Sequence, residues 1–292
     1  MRGARWLVTG AGGQVGNELV GLLRSRSIVV IALGHADLDV TDERAVRAVV
    51  HTYRPDVVVN AAGYTDVDRA ESEPELAHAV NTVAPGLLAA AAAEEGGRLL
   101  HISTDYVFSG RDAAGRPYDE DDPTDPISVY GRTKRDGELE VLGADPESWV
   151  VRTSWVYSPR GKGFIQAIRR ALDLRPTVDV VDDQIGTPTW TRDLATSILE
   201  LVQKNGPSGI HHVTAGGHTT RFGQARAIAA LLGADPARIR PVTTADQPRP
   251  AARPTWSVLG HRRWLEAGLT PLPAWDVALA GAMTDPDFPV IW

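Results

Sequence analysis

A glycine-rich turn near the start of the chain restricts the fold more than any other feature of the sequence. The segment from Thr9 to Gly16 reads Thr-Gly-Ala-Gly-Gly-Gln-Val-Gly, follows a short apolar run and opens a stretch of helical character. Gly10, Gly13 and Gly16 allow a tight turn, close approach of the backbone to a pyrophosphate, and close packing of a helix on a strand. Because the turn lies between a strand and a helix, it predicts a dinucleotide-binding unit rather than a merely flexible loop.

Short apolar runs alternate with helical stretches over the first half of the chain. We predict strands at 5–9, 28–33, 57–60, 99–103 and 149–153, and helices at 15–26, 43–53, 75–95 and 129–142. The strands are almost continuously apolar, as in a parallel sheet that is covered on both faces. The predicted fold class is therefore α/β, with a Rossmann-type doubly wound parallel sheet.

The pattern changes after residue 153, where prolines and glycines interrupt it more often. This predicts a smaller, mainly C-terminal α/β lobe that binds substrate. We place the dinucleotide-binding domain at 1–155, with later segments at roughly 177–202 returning to it, and the substrate lobe mainly at 156–292. The proline-rich segment 247–254 has two interpretations: a disordered linker, or a loop whose arginines face an anionic ligand.

Composition excludes several classes of function. The 292 residues carry a formal net charge of -7 and no long Lys/Arg block, so we expect no nucleic-acid partner. The chain has no cysteine, and its eight histidines show no helical metal-ligand spacing, so we predict neither disulfides nor a metal site. The first apolar run is too short for a signal peptide core or a membrane span, which predicts a cytoplasmic protein without a membrane partner.

Tyr130 and Lys134 lie four residues apart in a predicted helix. A helix places both side chains on one face, and an ammonium close to a phenol lowers the pKa of that phenol. Such a tyrosine can give a proton to a ketone oxygen when hydride reaches the carbon. Thr104, at the end of the fourth predicted strand, can hold the same carbonyl, although capping a turn is the alternative. Because most pairs with this spacing are solvated helix faces, the prediction depends on the glycine-rich turn.

The ends of the second and third predicted strands complete a cofactor site. The second strand ends Ala-Leu-Gly-His at 32–35, without the acid that holds ribose hydroxyls in NAD-preferring folds. We therefore predict NADPH, with NADH as the alternative. Asp39 and Val40 are expected against the adenine. Small residues after the third strand let a ribose approach the backbone, and the residues expected there are Ala61, Ala62, Gly63, Tyr64 and Thr65.

Four motifs, taken in order, resemble the extended short-chain dehydrogenase/reductases. They are Thr-Gly-x-x-Gly-x-x-Gly at 9–16, Ser-Thr-Asp-Tyr-Val-Phe at 103–108, Tyr-x-x-x-Lys at 130–134 and Arg-Thr-Ser-Trp-Val-Tyr at 152–157. Within that group, Arg-Pro-Asp-Val-Val-Val-Asn-Ala-Ala at 54–62 and Ala-Glu-Ser-Glu-Pro-Glu-Leu-Ala at 70–77 are similar to the dTDP-4-dehydrorhamnose reductase family. The similarity continues through 183–189 and 251–254, so it covers most of the chain.

The resemblance implies a role for each matching residue. Tyr130 becomes the catalytic acid, Lys134 its partner on the nicotinamide ribose, and Thr104 the third catalytic residue. The residues implied around the pyrophosphate are Gly13, Gln14 and Val15. The residues implied beside the sugar are Thr104, Asp105, Trp155 and Arg253, although a tryptophan at 155 is also typical of a core.

The implied reaction is NADPH-dependent reduction at C4 of a dTDP-4-keto-6-deoxy-L-hexose. The product would be dTDP-L-rhamnose or a related deoxysugar of secondary metabolism. A sugar-nucleotide epimerase or dehydratase and a non-catalytic NADP-binding regulatory subunit are the alternatives. A dehydratase typically has Asp-Glu after the threonine, where this chain has Asp105 and Tyr106. Some relatives form magnesium-bridged dimers through carboxylates. Glu18 matches one of these, but Arg192 replaces another, so we expect a monomer or weak homodimer.

Overall fold

A central parallel sheet organises the protein. The computed structural model describes residues 4–111, 115–158 and 163–285. The strands of the described residues are β1 (Trp6–Thr9), β2 (Val30–Leu33), β3 (Val57–Asn60), β4 (Arg98–Thr104), β5 (Trp149–Thr153), β6 (Val156–Tyr157), β7 (Val178–Val181), β8 (Ile185–Gly186), β9 (Thr189–Trp190), β10 (Gly209–His212), β11 (Thr219–Thr220) and β12 (Ile239–Val242).

Helices connect most of these strands. The α-helices of the described residues are α1 (Gln14–Ser25), α2 (Glu43–Tyr53), α3 (Val67–Ala70), α4 (Pro74–His78), α5 (Ala84–Glu94), α6 (Val129–Ala144), α7 (Phe164–Leu174), α8 (Thr191–Gln203), α9 (Arg221–Leu231), α10 (Arg262–Glu266) and α11 (Trp275–Met283). A π-helical turn at Ala79–Val83 joins α4 to α5, so the predicted helix 75–95 is one rod with a local widening.

The main sheet has the order β10-β5-β4-β3-β1-β2, and all of its strand pairs are parallel. From β1 the chain first builds outward to β2 and then returns to the other side of β1 to form β3. The strand order therefore reverses at β1, and ligands of open α/β sheets bind beyond the carboxyl ends of strands at such a point. The glycine-rich turn follows β1 and lies there.

Helices cover both faces of this sheet, which confirms the predicted Rossmann-type architecture. On one face, α1 and α8 pack with Trp6, Val8 and Trp149 in a continuous apolar core. On the other face, α2, α5 and α6 bury a second core around Leu7 and Val58. The strand residues are apolar on both sides because both faces are covered.

A third core lies between α7, α9 and α11 and the β7–β12 pair, with Ile168, Ile228 and Leu279 at its centre. This smaller lobe consists of later parts of the chain. Helix α8 packs against the main sheet, and β10 pairs with β5 in it, whereas β7 pairs with β12 in the smaller lobe. The predicted domain boundaries stay a prediction, and their outermost residues lie outside the described ranges.

One helix of the described residues, Pro74–Glu94, is long and apolar enough to cross a membrane by length and composition. Of its most apolar window, 56% is buried inside the protein. Leu88 and Ala92 pack there into the same core as α2 and α6. Core helices commonly pass this test, so the predicted cytoplasmic location and lack of a membrane partner stay predictions.

Candidate active site

Two adjoining cavities lie at the carboxyl edge of the main sheet. The larger, about 520 Å³, extends from the glycine-rich turn past Thr104 and Tyr130 to Trp155. The smaller, about 350 Å³, extends from the same turn to Asp39 and Val40. The two share the lining residues Gly13, Ala61, Ala62 and Gly63, so they form one elongated cleft. Such a cleft has room for a dinucleotide along the strand ends and a second ligand beside it.

The glycine-rich turn is fixed by the backbone that faces it. Gly10 has a φ of 64°, and a Cβ there would lie 2.5 Å from the backbone of Ala61 and Ala62. Gly13 is the N-cap of α1 and offers no side-chain cap, and the first turn of α1 carries no acid. The amide groups and dipole of the helix are therefore directed at the cleft, where Gln14 and Val15 also line the wall. Gly16 packs against the carbonyl of Gly10 instead of lining the cleft.

The predicted ribose loop is held by a residue that the sequence analysis missed. Asn81, in the π-helical turn, accepts a hydrogen bond from the Tyr64 amide at 2.8 Å and donates to the Tyr64 carbonyl at 3.0 Å. Its amide also donates to Thr133 at 3.2 Å. The Tyr64 hydroxyl donates to Glu73 at 2.7 Å, so this side chain is directed to the surface helix and does not line either cavity. A π turn within a helix is itself a signal of a functional position, but it is not visible in the sequence.

At the opposite end, Asp39 and Val40 line the smaller cavity as predicted. The Asp39 carboxylate accepts from the Thr41 amide and hydroxyl, and the hydroxyl bond lowers its pKa most. Asp42 is the N-cap of α2. Asp37 was missed: its carboxylate accepts from the Gly34 amide at 2.8 Å, which places an acid beside the end of β2. The sequence argument for NADPH, which assumed no acid there, therefore loses its premise.

Tyr130 and Thr104 meet at the centre of the larger cavity. Ser128 caps α6 by accepting from the Gly131 amide at 3.1 Å, and the helix begins at Val129, one residue before Tyr130. Gly131 leaves room for the Tyr106 carbonyl, so the helix approaches the strand end closely. The Tyr130 and Thr104 hydroxyls are hydrogen-bonded to each other. Burial raises the pKa of Tyr130, so its phenol is protonated at neutral pH.

Lys134 lines the same cavity but does not act on Tyr130 as predicted. Its Nζ donates to the Ile102 carbonyl at 2.6 Å and lies 3.0 Å from Nε2 of His101. Burial lowers the pKa of Lys134 to about 8, and Glu138 opposes that shift. The expected lowering of the Tyr130 pKa by an adjacent ammonium is wrong for this structure, because Lys134 is buried and directed toward β4.

Asp105 is buried behind Thr104, with 2% of its surface exposed. Its carboxylate accepts from Thr104 at 3.1 Å, Ser154 at 3.2 Å and Ser257 at 2.5 Å. Burial raises the pKa of Asp105 to about 6, and the three hydroxyls and Arg221 oppose that shift. Asp105 therefore positions the hydroxyls around the Trp155 end of the cleft.

The Trp155 end of the cleft contains a cation that sequence reasoning did not predict. The Arg221 guanidinium lies 3.6 Å from the centre of the Trp155 ring, and Arg221 hydrogen-bonds the Tyr106 hydroxyl. Trp155 adopts a φ of 45°, which is unusual for a residue with a side chain. Its ring occupies the space that a Cβ on Gly186 would need, since that atom would lie 2.5 Å from the ring. Trp155, Tyr106 and Arg221 line the cavity together.

The predicted substrate residue Arg253 does not line the cleft, because the Tyr106 side chain lies between them. Its guanidinium bonds both oxygens of Asp68, at 2.5 and 2.9 Å, and hydrogen-bonds the Tyr106 hydroxyl. The Ala251 amide also donates to Asp68 at 3.2 Å. The proline-rich segment is thus fastened to α3 by these bonds, and Arg253 reaches the cavity only through Tyr106.

Glu18 and Arg192, at positions where some relatives carry bridging carboxylates, are directly paired. Arg192 Nε lies 3.4 Å from Glu18, and the same guanidinium forms an ion pair with Asp285. An arginine between two carboxylates places a positive charge inside this group. Within residues 4–111, 115–158 and 163–285, no cluster of three or more His, Asp or Glu side chains could hold a metal ion.

Comparisons with known proteins agree on one family. The family model described as the RmlD substrate binding domain matches residues 4–287. A dTDP-4-dehydrorhamnose reductase of Streptomyces griseus is 51% identical over 94% of this chain and 91% of its own length. One of Mycolicibacterium smegmatis is 47% identical over 98% of this chain and 89% of its own length.

Solved structures give the same result. The dTDP-4-dehydrorhamnose reductase of Bacillus anthracis in complex with NADP has a TM-score of 0.92 at 33% identity, over 96% of this chain and 98% of that one. A dTDP-4-dehydrorhamnose reductase of Clostridium acetobutylicum has a TM-score of 0.91 at 36% identity, with the same coverage.

Proposed function

This chain belongs to the dTDP-4-dehydrorhamnose reductase family and is an oxidoreductase, and on that premise we propose that it reduces the C4 ketone of a dTDP-linked 4-keto-6-deoxy sugar with NADPH. The observation that carries the proposal is the hydrogen-bonded pair of Thr104 and Tyr130 hydroxyls in the larger cavity. Two hydroxyls at one place can hold a carbonyl oxygen from two directions.

Reduction of a ketone needs a hydride at carbon and a proton at oxygen. A bound nicotinamide cofactor supplies the hydride. The pKa of Tyr130 is raised by burial, so the phenol keeps its proton at neutral pH and can give it to the developing alkoxide. Thr104 keeps the oxygen within reach of that phenol. Lys134, held at the Ile102 carbonyl, lies on the cofactor side of the same wall.

The other side of the cavity suits a nucleotide-linked sugar. Arg221 can pair with a diphosphate or with sugar hydroxyls, and the stack against Trp155 fixes the plane of its guanidinium. Trp155 offers a flat apolar face to a deoxysugar, while Asp105 and its hydroxyl partners supply hydrogen bonds. The substrate residues we assign are therefore Thr104, Asp105, Tyr106, Trp155 and Arg221.

The choice between NADPH and NADH rests on the relative with NADP, since Asp37 removes the argument from the sequence. NADPH is our proposal, and NADH is its competitor in the same assay. The same assay must also identify the sugar, which we restrict to the class of dTDP-linked keto sugars. Relatives that are 48% identical carry names for reductases of two further dTDP-linked keto sugars.

The epimerase or dehydratase alternative has less support. Asp105 is followed by Tyr106, whose hydroxyl bonds Arg221 and Arg253, so the position that would hold a second acid carries a phenol. The solved epimerase and dehydratase are 23% and 20% identical, which indicates a shared fold alone. Nothing in the cavity favours a regulatory subunit, because Thr104, Tyr130 and Lys134 are all present around it.

The test is NADPH and NADH oxidation against a panel of dTDP-4-keto-6-deoxy sugars, with product stereochemistry read by NMR. Tyr130→Phe should lose about 10²- to 10⁴-fold in kcat and still bind NADPH, because only the proton donor is removed. Tyr157→Phe is the matched control: its buried hydroxyl lies outside the cleft and has no hydrogen-bond partner among the described residues, so activity should stay. Wild-type turnover by Tyr130→Phe would refute the assignment. Tightly retained NAD with no oxidation of added cofactor would favour the epimerase.

A further inference from the structure

An acidic segment, residues 66–73, lies beside the cleft. It follows the predicted ribose loop at 61–65 and contains the short helix α3. Thr65 and Val67 line the larger cavity, whereas the carboxylates of the segment line neither cavity. A run of acids around a helix start is usually a solvated surface. Here three of the carboxylates are hydrogen-bonded to other parts of the active-site wall.

Two of these carboxylates fix the segment at both of its ends. Asp68 is bonded by Arg253 at 2.5 and 2.9 Å and by the Ala251 amide at 3.2 Å. Glu73 accepts from the Tyr64 hydroxyl of the ribose loop at 2.7 Å. One contact thus joins the segment to a distant part of the chain, and the other joins it to the ribose loop. The residues between them are therefore held on a fixed base.

Glu71 is the third carboxylate, and it reaches the start of α6. Its Oε1 accepts from the Val129 amide at 2.8 Å. Val129 is the first residue of α6, and Tyr130 is the second. The two bonded residues lie 58 positions apart in the sequence, so this is a tertiary contact and not a local cap.

Tyr130 lies in the part of α6 that the helix itself holds least firmly. The first four amide groups of a helix have no acceptor within it, and helix ends fray. Ser128 accepts from the Gly131 amide at 3.1 Å, but this local contact moves with the helix. Glu71 accepts from outside the helix, and its negative charge is favourable at a helix N-terminus. Without Glu71, the first turn of α6 loses a contact that fixes it relative to the ribose loop.

We propose that Glu71 is a positioning residue for Tyr130, because it fixes the start of α6 relative to the ribose loop. The inference rests on the proposed function, since it concerns the geometry of ketone reduction. Hydride and proton must reach the two adjacent atoms of one carbonyl group. A displacement of about 1 Å between the groups that deliver them can lower the rate about 100-fold. Glu71 does not line the cavity, so it acts through α6.

The kinetic test compares two substitutions of Glu71. Glu71→Ala should lower kcat about 10- to 100-fold, because the phenol is displaced. The KM for the sugar nucleotide and the Kd for NADPH should change little, since both ligands keep their contacts. Glu71→Gln keeps an oxygen that can accept from the Val129 amide, so its kcat should lie within about threefold of wild type.

The solvent deuterium isotope effect on kcat separates positioning from a loss of stability. It should rise in Glu71→Ala, because proton transfer from a displaced phenol is slower. Glu75→Ala is the matched control, since Glu75 is exposed on α4 in the same part of the chain. This control should keep the wild-type kcat and isotope effect. A purely structural Glu71 would lower the urea midpoint of Glu71→Ala and leave kcat and the isotope effect of the folded variant unchanged, which would refute the inference.

An NMR measurement on the full chain without ligands tests the placement of Tyr130 independently of catalysis. The chain is labelled in its six tyrosines, and the Tyr130 ring signal is assigned by comparison with Tyr130→Phe. We expect this signal to shift in Glu71→Ala and to keep its position in Glu71→Gln and Glu75→Ala. An unmoved Tyr130 signal in Glu71→Ala would overturn the inference, whatever the wild-type protein reduces. A shifted signal in a protein that reduces no keto sugar would support the placement by Glu71 and count against the proposed function alone.

Discussion

The cofactor side and the sugar side of the cleft are built in different ways. The pyrophosphate turn, the ribose loop and the adenine wall each follow directly from one strand end of the main sheet. The sugar side joins Asp105 and Tyr106 after β4, Trp155 after β5 and Arg221 at the start of α9. The cofactor side can therefore be predicted from contiguous sequence motifs, whereas the sugar side forms only when distant segments of the chain pack together.

Because of this difference, the two sides should tolerate amino-acid substitutions to different degrees. On the cofactor side, backbone atoms approach Gly10 and Gly16 so closely that an added Cβ has no room at either position. On the sugar side, side chains of several elements touch one another, so outside the Trp155 and Gly186 contact one can change while its neighbours adjust. Substitutions on the two sides should therefore fail differently: the first through the fold, the second through substrate binding.

The largest effect is expected for Gly10→Ala on the cofactor side. The left-handed φ and the contact with Ala61 and Ala62 should together cost about 4 kcal/mol or more in the free energy of unfolding. Urea unfolding measures it. Gly12→Ala is the control in the same turn, because a Cβ there meets nothing within 4 Å. Equal losses in both variants would break the comparison.

The second prediction concerns Asp105→Asn on the sugar side. The pKa of Asp105 is raised from 3.8 to about 6, so its favourable contribution is complete below 3.8 and is lost as the pH rises through 6. The variant should gain about 2 kcal/mol of stability relative to wild type between pH 4 and pH 8, while kcat/KM falls. Urea unfolding at both pH values checks it. The exposed variant Asp173→Asn should show no such trend.

A smaller effect is expected for Arg221→Ala. Loss of a charged hydrogen-bond donor should raise KM for the sugar nucleotide about 10- to 100-fold and leave the Kd for NADPH unchanged. Arg226→Ala is matched, because Arg226 lies on the same helix and stacks on Phe222 outside the cleft. Steady-state kinetics and fluorescence titration separate the two constants. An equal rise in the NADPH Kd would show that the two sides are not independent.

The smallest effect is expected for Asp37→Asn, which tests the choice between NADPH and NADH on the cofactor side. Removal of the charge beside the Gly34 amide should improve kcat/KM for NADPH relative to NADH by about three- to tenfold, since one repulsive charge is removed. Asp42→Asn keeps the α2 cap and serves as control. No change in the cofactor ratio would mean that Asp37 does not face the 2′ position.

The sequence allowed prediction of the fold and of those site residues that adjoin a strand end. Gly10, Thr104 and Tyr130 belong to local patterns whose geometry is set by a turn, a strand end and one helix. Asp37, Asn81 and Arg221 were missed because their positions depend on a short turn, a π turn and the packing of a later helix. Lys134 lines the same cavity as Tyr130, but its partners, the Ile102 carbonyl and His101, could not be predicted, because helical spacing gives the face of a side chain and not its partner.

The Trp155 and Gly186 contact also restricts how this pocket can evolve. The ring fills the space of any side chain at 186, and the left-handed φ of Trp155 persists only while its surroundings hold it. Neither position can drift alone, since a larger residue at 186 is excluded until the tryptophan has gone. New sugar specificities in this lineage that need a side chain at 186 should therefore require a change of the tryptophan first.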